Sequence, residues 1–255
     1  MGVLNISPES FFSDSFTPCE LVTTRVEEMR RAGVDVIDVG ARSTALNAPP
    51  LSVAEERERV VAAFRELDGC DAVFSLDTMH AEVLEAALRF DLVAINDISG
   101  LGNAEYARVA ADSGLPVMAM TANAVPGDPL DFAGTIRAMQ AVCTRAEAAG
   151  VSDLILDPGV GKWVADRSLD ADWELCQRFS ELRQFGYPLL AAVSRKTFIG
   201  DVIGKPAQDR LFGTLGVLFY LLEQGADIVR VHDVAATRDL VLVYERLCRS
   251  ERNVP

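Results

Sequence analysis

Short apolar runs alternate with longer stretches of helical spacing along the whole chain. Residues 1–6, 34–40, 72–77, 92–97, 116–120, 153–157, 188–194 and 227–232 have strand length and end at polar or turn-forming residues. Residues 19–32, 52–67, 80–89, 104–113, a segment ending at Gly150, 168–185, 209–224 and 236–249 carry the spacing of helices. Ser52 and Glu55 are set as a capping box, and Gly33, Gly114 and Gly225 stand where helices stop. Eight strand-then-helix units with no composition shift between them imply parallel strands joined by right-handed crossovers. The expected fold is therefore α/β, a single (β/α)8 TIM barrel spanning residues 1–255 as one domain. An open doubly wound sheet is the alternative, and no G-x-G-x-x-G follows the first strand to support it.

Composition narrows the function classes. A chain of 255 residues with 49% hydrophobic content can bury one large core. No run is long and apolar enough to cross a membrane, and no leader precedes Gly2, so a cytoplasmic protein is expected. The five cysteines never form C-x-x-C, which fits reduced thiols better than a disulfide frame or a zinc site. A net charge of −14 argues against nucleic acid or an anionic membrane as partner, but leaves open an anionic small molecule that feels only the local field. Only three lysines occur, Lys162, Lys196 and Lys205; the acidic, Lys-poor balance suits a salty cytoplasm and also GC-rich coding.

The strand tips concentrate the chemistry. They read Asn5, Arg42 to Thr44, Asp77, Asn96 with Asp97, Met120, Asp157, Ser194 to Lys196, and Arg230 with His232. In a parallel barrel all eight tips meet at one mouth. Amide, carboxylate and cationic groups gathered there suit a planar, hydrogen-bonding heterocycle with an anionic tail.

The segments GVLNISPESF at 2–11, DVGARST at 38–44, SLDT at 75–78, INDISG at 95–100, LDPG at 156–159, SRKTFIG at 194–200 and RVHD at 230–233 occur in this order. Together they resemble the dihydropteroate synthases and, more broadly, the pterin-binding barrel family, over nearly the whole chain. The resemblance implies a transferase of folate or methanopterin biosynthesis. It joins 6-hydroxymethyl-7,8-dihydropterin pyrophosphate to an arylamine and releases pyrophosphate. It implies that Asp157 and Asn96 bind the pterin edge, that Asp77 bonds the ring and steadies positive charge, and that Lys196 meets the pterin carbonyl. Arg230 and His232 are implied to hold the leaving pyrophosphate, Asn5 to help hold Mg²⁺, and Thr44, Met120 and Thr197 to line the substrate site. Catalysis is thus expected from Asp77, Lys196, Arg230 and His232.

Departures from the family pattern fall on the amine side. Ala45 follows Ser43 and Thr44 where the family has Arg-Pro-Gly, with Arg42 where an acid is usual; Thr121 and Ala122 replace a His-Met pair. Gly161, Lys162 and Trp163 replace a Gly-Phe-Gly-Lys run. Lys162 is expected to supply a cation from a shifted position, and Trp163 either stacks on a ring or packs on the barrel rim. The pattern resembles archaeal relatives that use a ribofuranosyl-aminobenzene phosphate in place of p-aminobenzoate. Two other classes stay open: a pterin-dependent methyltransferase acting on a corrinoid protein, and a non-catalytic pterin-binding protein. The loops 7–18 and 42–51 are expected to close over the site. His80 is expected to be a solvated first-turn residue. The nearly all-apolar helix at 209–224 suggests burial on two sides, hence a homodimer.

Overall fold

The computed structural model describes residues 1–8, 16–43 and 49–248. Eight parallel strands form its centre: β1 (Gly2–Asn5), β2 (Ile37–Gly40), β3 (Phe74–Asp77), β4 (Leu92–Asp97), β5 (Val117–Met120), β6 (Leu154–Asp157), β7 (Leu190–Ala191) and β8 (Ile228–Val229). β1 to β6 pair in sequence order, and β7 pairs with β8. Two bridges close the ring, Leu156 to Leu189 on one side and Gly2 to Val231 on the other. The Val231 amide also donates to the Met1 carbonyl, and the Val3 amide to that of Val231. The expected (β/α)8 barrel is therefore what the chain forms.

Helices surround the ring: α1 (Val22–Arg31), α2 (Val53–Glu66), α3 (Ala81–Ala87), α4 (Ala104–Ser113), α5 (Phe132–Ala149), α6 (Leu169–Gln177), α7 (Thr197–Ile203), α8 (Leu211–Glu223) and α9 (Val234–Cys248). Their ends follow local chemistry. Ser52 and Glu55 cap α2 reciprocally, and Gly114 and Gly150 end α4 and α5 in the left-handed conformation. Two boundaries differ from expectation. The helix expected over 168–185 stops at Arg178 and continues as a 3-10 turn, in which Phe179 and Leu182, three apart, both reach the core. Thr197–Ile203 forms a helix not anticipated from the sequence, because it is short and is flanked by the left-handed Gly204.

Register positions the mouth. Between β3 and β4 the pairing shifts by one residue after Phe74, so that Ser75 faces Ala94 and Asp77 faces Asn96. Without that bulge Asp77 would lie beside Ile95, and the amide would point to the other face. Asn5, Gly40, Asp77 and Asn96 consequently stand at one level across four strands. α8 buries Thr214, Leu218 and Leu221, while Phe212 stays 81% exposed and Phe219 and Tyr220 are also exposed. No helix among the described residues is long and apolar enough to cross a membrane.

Gly100 has φ +61°, and a Cβ there would fall 2.4 Å from the Met120 carbonyl oxygen. Gly100→Ala is expected to cost more than about 1 kcal/mol in denaturant unfolding; a neutral effect would mean that the turn after β4 is not pressed against β5.

Candidate functional site

The centre of the mouth is a carboxylate inside the barrel. Asp38 lies on β2, two residues below Gly40 and on the same face, and is fully buried. A charge there must be paired. Its Oδ1 accepts from Ser75 Oγ at 2.6 Å, and its Oδ2 accepts from Asn96 Nδ2 at 2.9 Å and Arg230 Nε at 2.7 Å. The Arg230 fork continues to Asp77 Oδ2 at 2.6 Å through Nη2. Gly40 leaves the space above Asp38 open: a Cβ on it would sit 3.4 Å from Asp77.

Around this network lies a cavity of about 130 Å³, lined by Asn5, Asp77, Asn96, Met120, Asp157, Lys196, Arg230 and His232, together with Arg42, Ser43 and Trp163. Eight of the ten residues expected to form the site thus come together at the mouth. Two do not. Thr44 lies outside the described residues. Thr197 opens α7 and is exposed, and it is absent from the lining because the chain turns away at Lys196, the residue before the helix.

Burial sets the electrostatics. Asp77 is pushed up to about 7, mainly by burial and also by Asp38, against the pull of Arg230. Burial likewise raises Asp157, opposed by Lys196. Asp157 Oδ1 accepts from the Gly159 amide at 2.8 Å; its second oxygen has no protein partner among the described residues. Lys196 is lowered to about 8 by burial, opposed by Asp157 and Asp172. Its Nζ donates to the Val160 carbonyl and lies 4.9 Å from the Trp163 ring centroid. Burial also works against charge on Arg230, but Asp38 and Asp77 outweigh it and hold the guanidinium protonated. His232 is pushed down to about 3 by burial and by Arg230, so the ring is neutral at pH 7; its Nδ1 is 2.9 Å from Ser194 Oγ.

Two neighbours of these residues, Asp38 and Glu56, are not among the groups that the strand tips predict for the mouth. Asp38 was recognisable in principle, because alternation from Gly40 points it inward. Glu56 on α2 is fully buried, accepts from Arg42 Nε at 2.5 Å and Thr78 Oγ1 at 2.6 Å, and lies 3.0 Å from His80 Nδ1. His80 is therefore a half-buried partner of Glu56 and not a solvated residue. Arg42 also donates to the Leu51 carbonyl and ties the loop after β2 to α2. Arg195 (φ +60°) forks onto Asp233 and donates to the carbonyls of Ala207 and Gln208, which makes it structural. Lys162 is exposed and does not line the cavity; the loop contributes Trp163 instead, whose ring packs where a Gly127 Cβ would be. The loops 7–18 and 42–51 lie partly outside the described residues. No group of three His, Cys, Asp or Glu side chains able to hold a metal occurs among the described residues. Asn5 offers one amide oxygen, already accepting from the Ser7 amide at 3.0 Å.

A closed parallel barrel with its polar groups gathered at the C-terminal mouth defines an enzyme of the (β/α)8 class that binds a small ligand there. The family model described as pterin binding enzyme matches residues 1–232. The chain is 34% identical to the dihydropteroate synthase of Haemophilus influenzae, over 96% of this chain and 92% of that protein. It superposes on the Yersinia pestis dihydropteroate synthase solved with a sulfonamide drug at TM-score 0.89 and 31% identity, covering 98% of this chain and 93% of that one. The Xanthomonas albilineans dihydropteroate synthase with 4-aminobenzoic acid gives TM-score 0.87 and 30% identity, covering 100% and 93%. The chain belongs to the pterin binding enzyme family, on its dihydropteroate synthase branch.

Truncation at the centre should be costly. Asp38→Ala takes the shared acceptor from Arg230, Asn96 and Ser75 together, leaving Arg230 with Asp77 alone, and the expected loss in denaturant unfolding is about 3–5 kcal/mol. A loss within about 0.5 kcal/mol would mean that Asp38 is not the group these residues depend on.

Proposed function

We propose that this protein condenses 6-hydroxymethyl-7,8-dihydropterin pyrophosphate with p-aminobenzoate, releasing pyrophosphate and forming dihydropteroate. The observation that carries this reading is the pairing, in one cavity, of a buried carboxylate with an unspent oxygen, Asp157, and a half-buried cation, Lys196. A flat ring with adjacent amino, ring N–H and carbonyl groups satisfies both at once. Membership in a branch whose Xanthomonas albilineans representative was solved with 4-aminobenzoic acid supports the choice of amine.

In this reading Asp157 accepts from the pterin amino and ring N–H groups, and Lys196 donates to the ring carbonyl. Asn96 offers its Oδ1 and the second N–H of its amide, the first being given to Asp38. Met120 packs under the ring. The bond from the pterin methylene carbon to the pyrophosphate oxygen breaks, and the amine nitrogen takes that carbon and loses a proton. Asp77, facing the ring, steadies the positive charge that develops on the pterin. Arg230 and neutral His232 face the departing pyrophosphate, Arg230 with the part of its fork not spent on the two carboxylates. Mg²⁺ carried on the pyrophosphate needs few protein ligands, and Asn5, which lines the mouth, would help hold it there; when bound, it would neutralise phosphate charge. Thr44 is placed near the reacting centre by the family resemblance alone. A second copy of this chain covers the apolar face of α7, α8 and α9, on which Val202, Phe212, Val243 and Leu247 are exposed.

Two measurements test this. Pyrophosphate release from the pterin substrate should depend on added p-aminobenzoate, which should be preferred to a ribofuranosyl-aminobenzene phosphate. Release without amine, or preference for the larger amine, would overturn the assignment. The pH profile of kcat/KM should rise through about 7 as Asp77 ionises and fall through about 8 as Lys196 loses its proton; a profile flat across that range would contradict the assigned roles. For the assembly, sedimentation at micromolar concentration should give a dimer that Phe212→Glu dissociates, and a monomeric parent protein would exclude it.

A further inference from the structure

A second buried ion pair lies behind the cavity wall. Arg167 and Asp172 are both fully buried, in the loop after β6 and in the first turn of α6. Arg167 Nε donates to Asp172 Oδ1 at 2.8 Å, and the same oxygen accepts from the Gly161 amide at 2.8 Å. Arg167 Nη1 reaches across to the Pro129 carbonyl at 2.6 Å, in the loop after β5. One guanidinium and one carboxylate therefore join the two loops that flank Asp157.

The segment they hold is the one against which Lys196 rests. The Val160 carbonyl accepts from Lys196 Nζ, and the Trp163 ring lies beside the ammonium. Gly161 has φ +126°, and a Cβ there would come within 2.9 Å of Lys196 Cδ, so backbone is pressed onto the lysine stem. Trp163 is backed in turn by Gly127 of the other loop. A displacement of the Gly161 amide would move both the Val160 carbonyl and the Trp163 ring.

We infer that Arg167 and Asp172 are positioning residues for Lys196, fixing the loops after β5 and β6 so that the ammonium is held at the cavity wall. This rests on the reading of Lys196 as a substrate-binding cation. Neither residue lines the cavity, so each acts through the loop. An apolar pair of similar size would fill the same space but make neither tether, to the Gly161 amide or to the Pro129 carbonyl. The charge adds a second effect, because Asp172 favours the protonated lysine across the Gly161 backbone. The other groups facing Lys196 are Asp157 on β6, which acts in the same sense, and Arg230 and Arg167, which oppose it. His232 and Cys176 are neutral there, the one lowered to about 3 and the other raised to about 12 by burial.

The test reads Lys196 itself. Acylation of Lys196 by an N-hydroxysuccinimide ester, followed by peptide mass spectrometry across pH, reports its protonation without reference to turnover. The parent midpoint should lie at about 8. Asp172→Asn keeps an oxygen for the Gly161 amide and removes the charge, so the midpoint should fall by about one unit. Should that variant fail to fold, as judged by circular dichroism, the neutral double variant Arg167→Met/Asp172→Leu gives the reading. With both tethers gone, water reaches the ammonium and the midpoint should climb toward the ordinary 10.5. An unchanged midpoint in either folded variant overturns the inference. A shifted midpoint with unchanged kcat/KM for the pterin substrate supports the positioning role and removes Lys196 from the reaction instead.

Discussion

The mouth of this barrel depends on one guanidinium shared by a fully buried carboxylate and a half-buried one. Arg230, just beyond β8, spans the barrel to Asp38 on β2 and Asp77 on β3. Each of these charges alone would be costly at this depth. With Asp77 ionised, the three groups leave one net negative charge on the two carboxylates, and Ser75 and Asn96 satisfy part of what remains on Asp38. The network also fixes orientation. Asn96 is oriented by the N–H it gives to Asp38, which leaves its carbonyl oxygen and its second N–H for a ligand, and Asp77 is held where the bulge after Phe74 has placed it. A site assembled this way needs little reorganisation when a ligand arrives.

Lys196 and Asp157 form the other half of the mouth and are treated differently. Neither is locked into an ion pair with the other among the described residues, and burial pushes them toward their neutral forms from opposite sides. Groups poised in this way gain most from a ligand that offers donors to one and an acceptor to the other. The backbone that seats Lys196 is held by a separate buried pair, Arg167 and Asp172, next to one of the loops where the chain departs from its family pattern. The loss of a family histidine at Thr121 is matched by a structural use of that residue, whose hydroxyl donates to the Pro158 carbonyl at 2.7 Å.

The barrel was legible in the sequence because alternation of short apolar runs and helical spacing is its direct physical signature, and the strand tips followed from topology. What escaped depended on register and depth. Asp38 looked like a polar interruption of a strand, and only the inward alternation from Gly40 marks it as central. The level of Asn96 relative to Asp77 depends on a bulge that no residue pattern announces. Glu56 sits on the buried face of a highly charged helix, where spacing alone cannot distinguish it from its solvated neighbours Glu55 and Glu58. His80 then follows Glu56 inward, and Thr197 turns outward as the first residue of a short helix whose N-cap is Lys196.

The dependence of the mouth on the shared guanidinium is measured most directly by a double-mutant cycle on unfolding free energy, using Asp38→Asn, Arg230→Met and the two combined. The network predicts a coupling of about 2 kcal/mol or more, because Arg230→Met leaves Asp38 buried without its cation and Asp38→Asn removes that penalty. Additive effects within about 0.5 kcal/mol would show that the two residues are held independently, and the mouth would then have no common anchor.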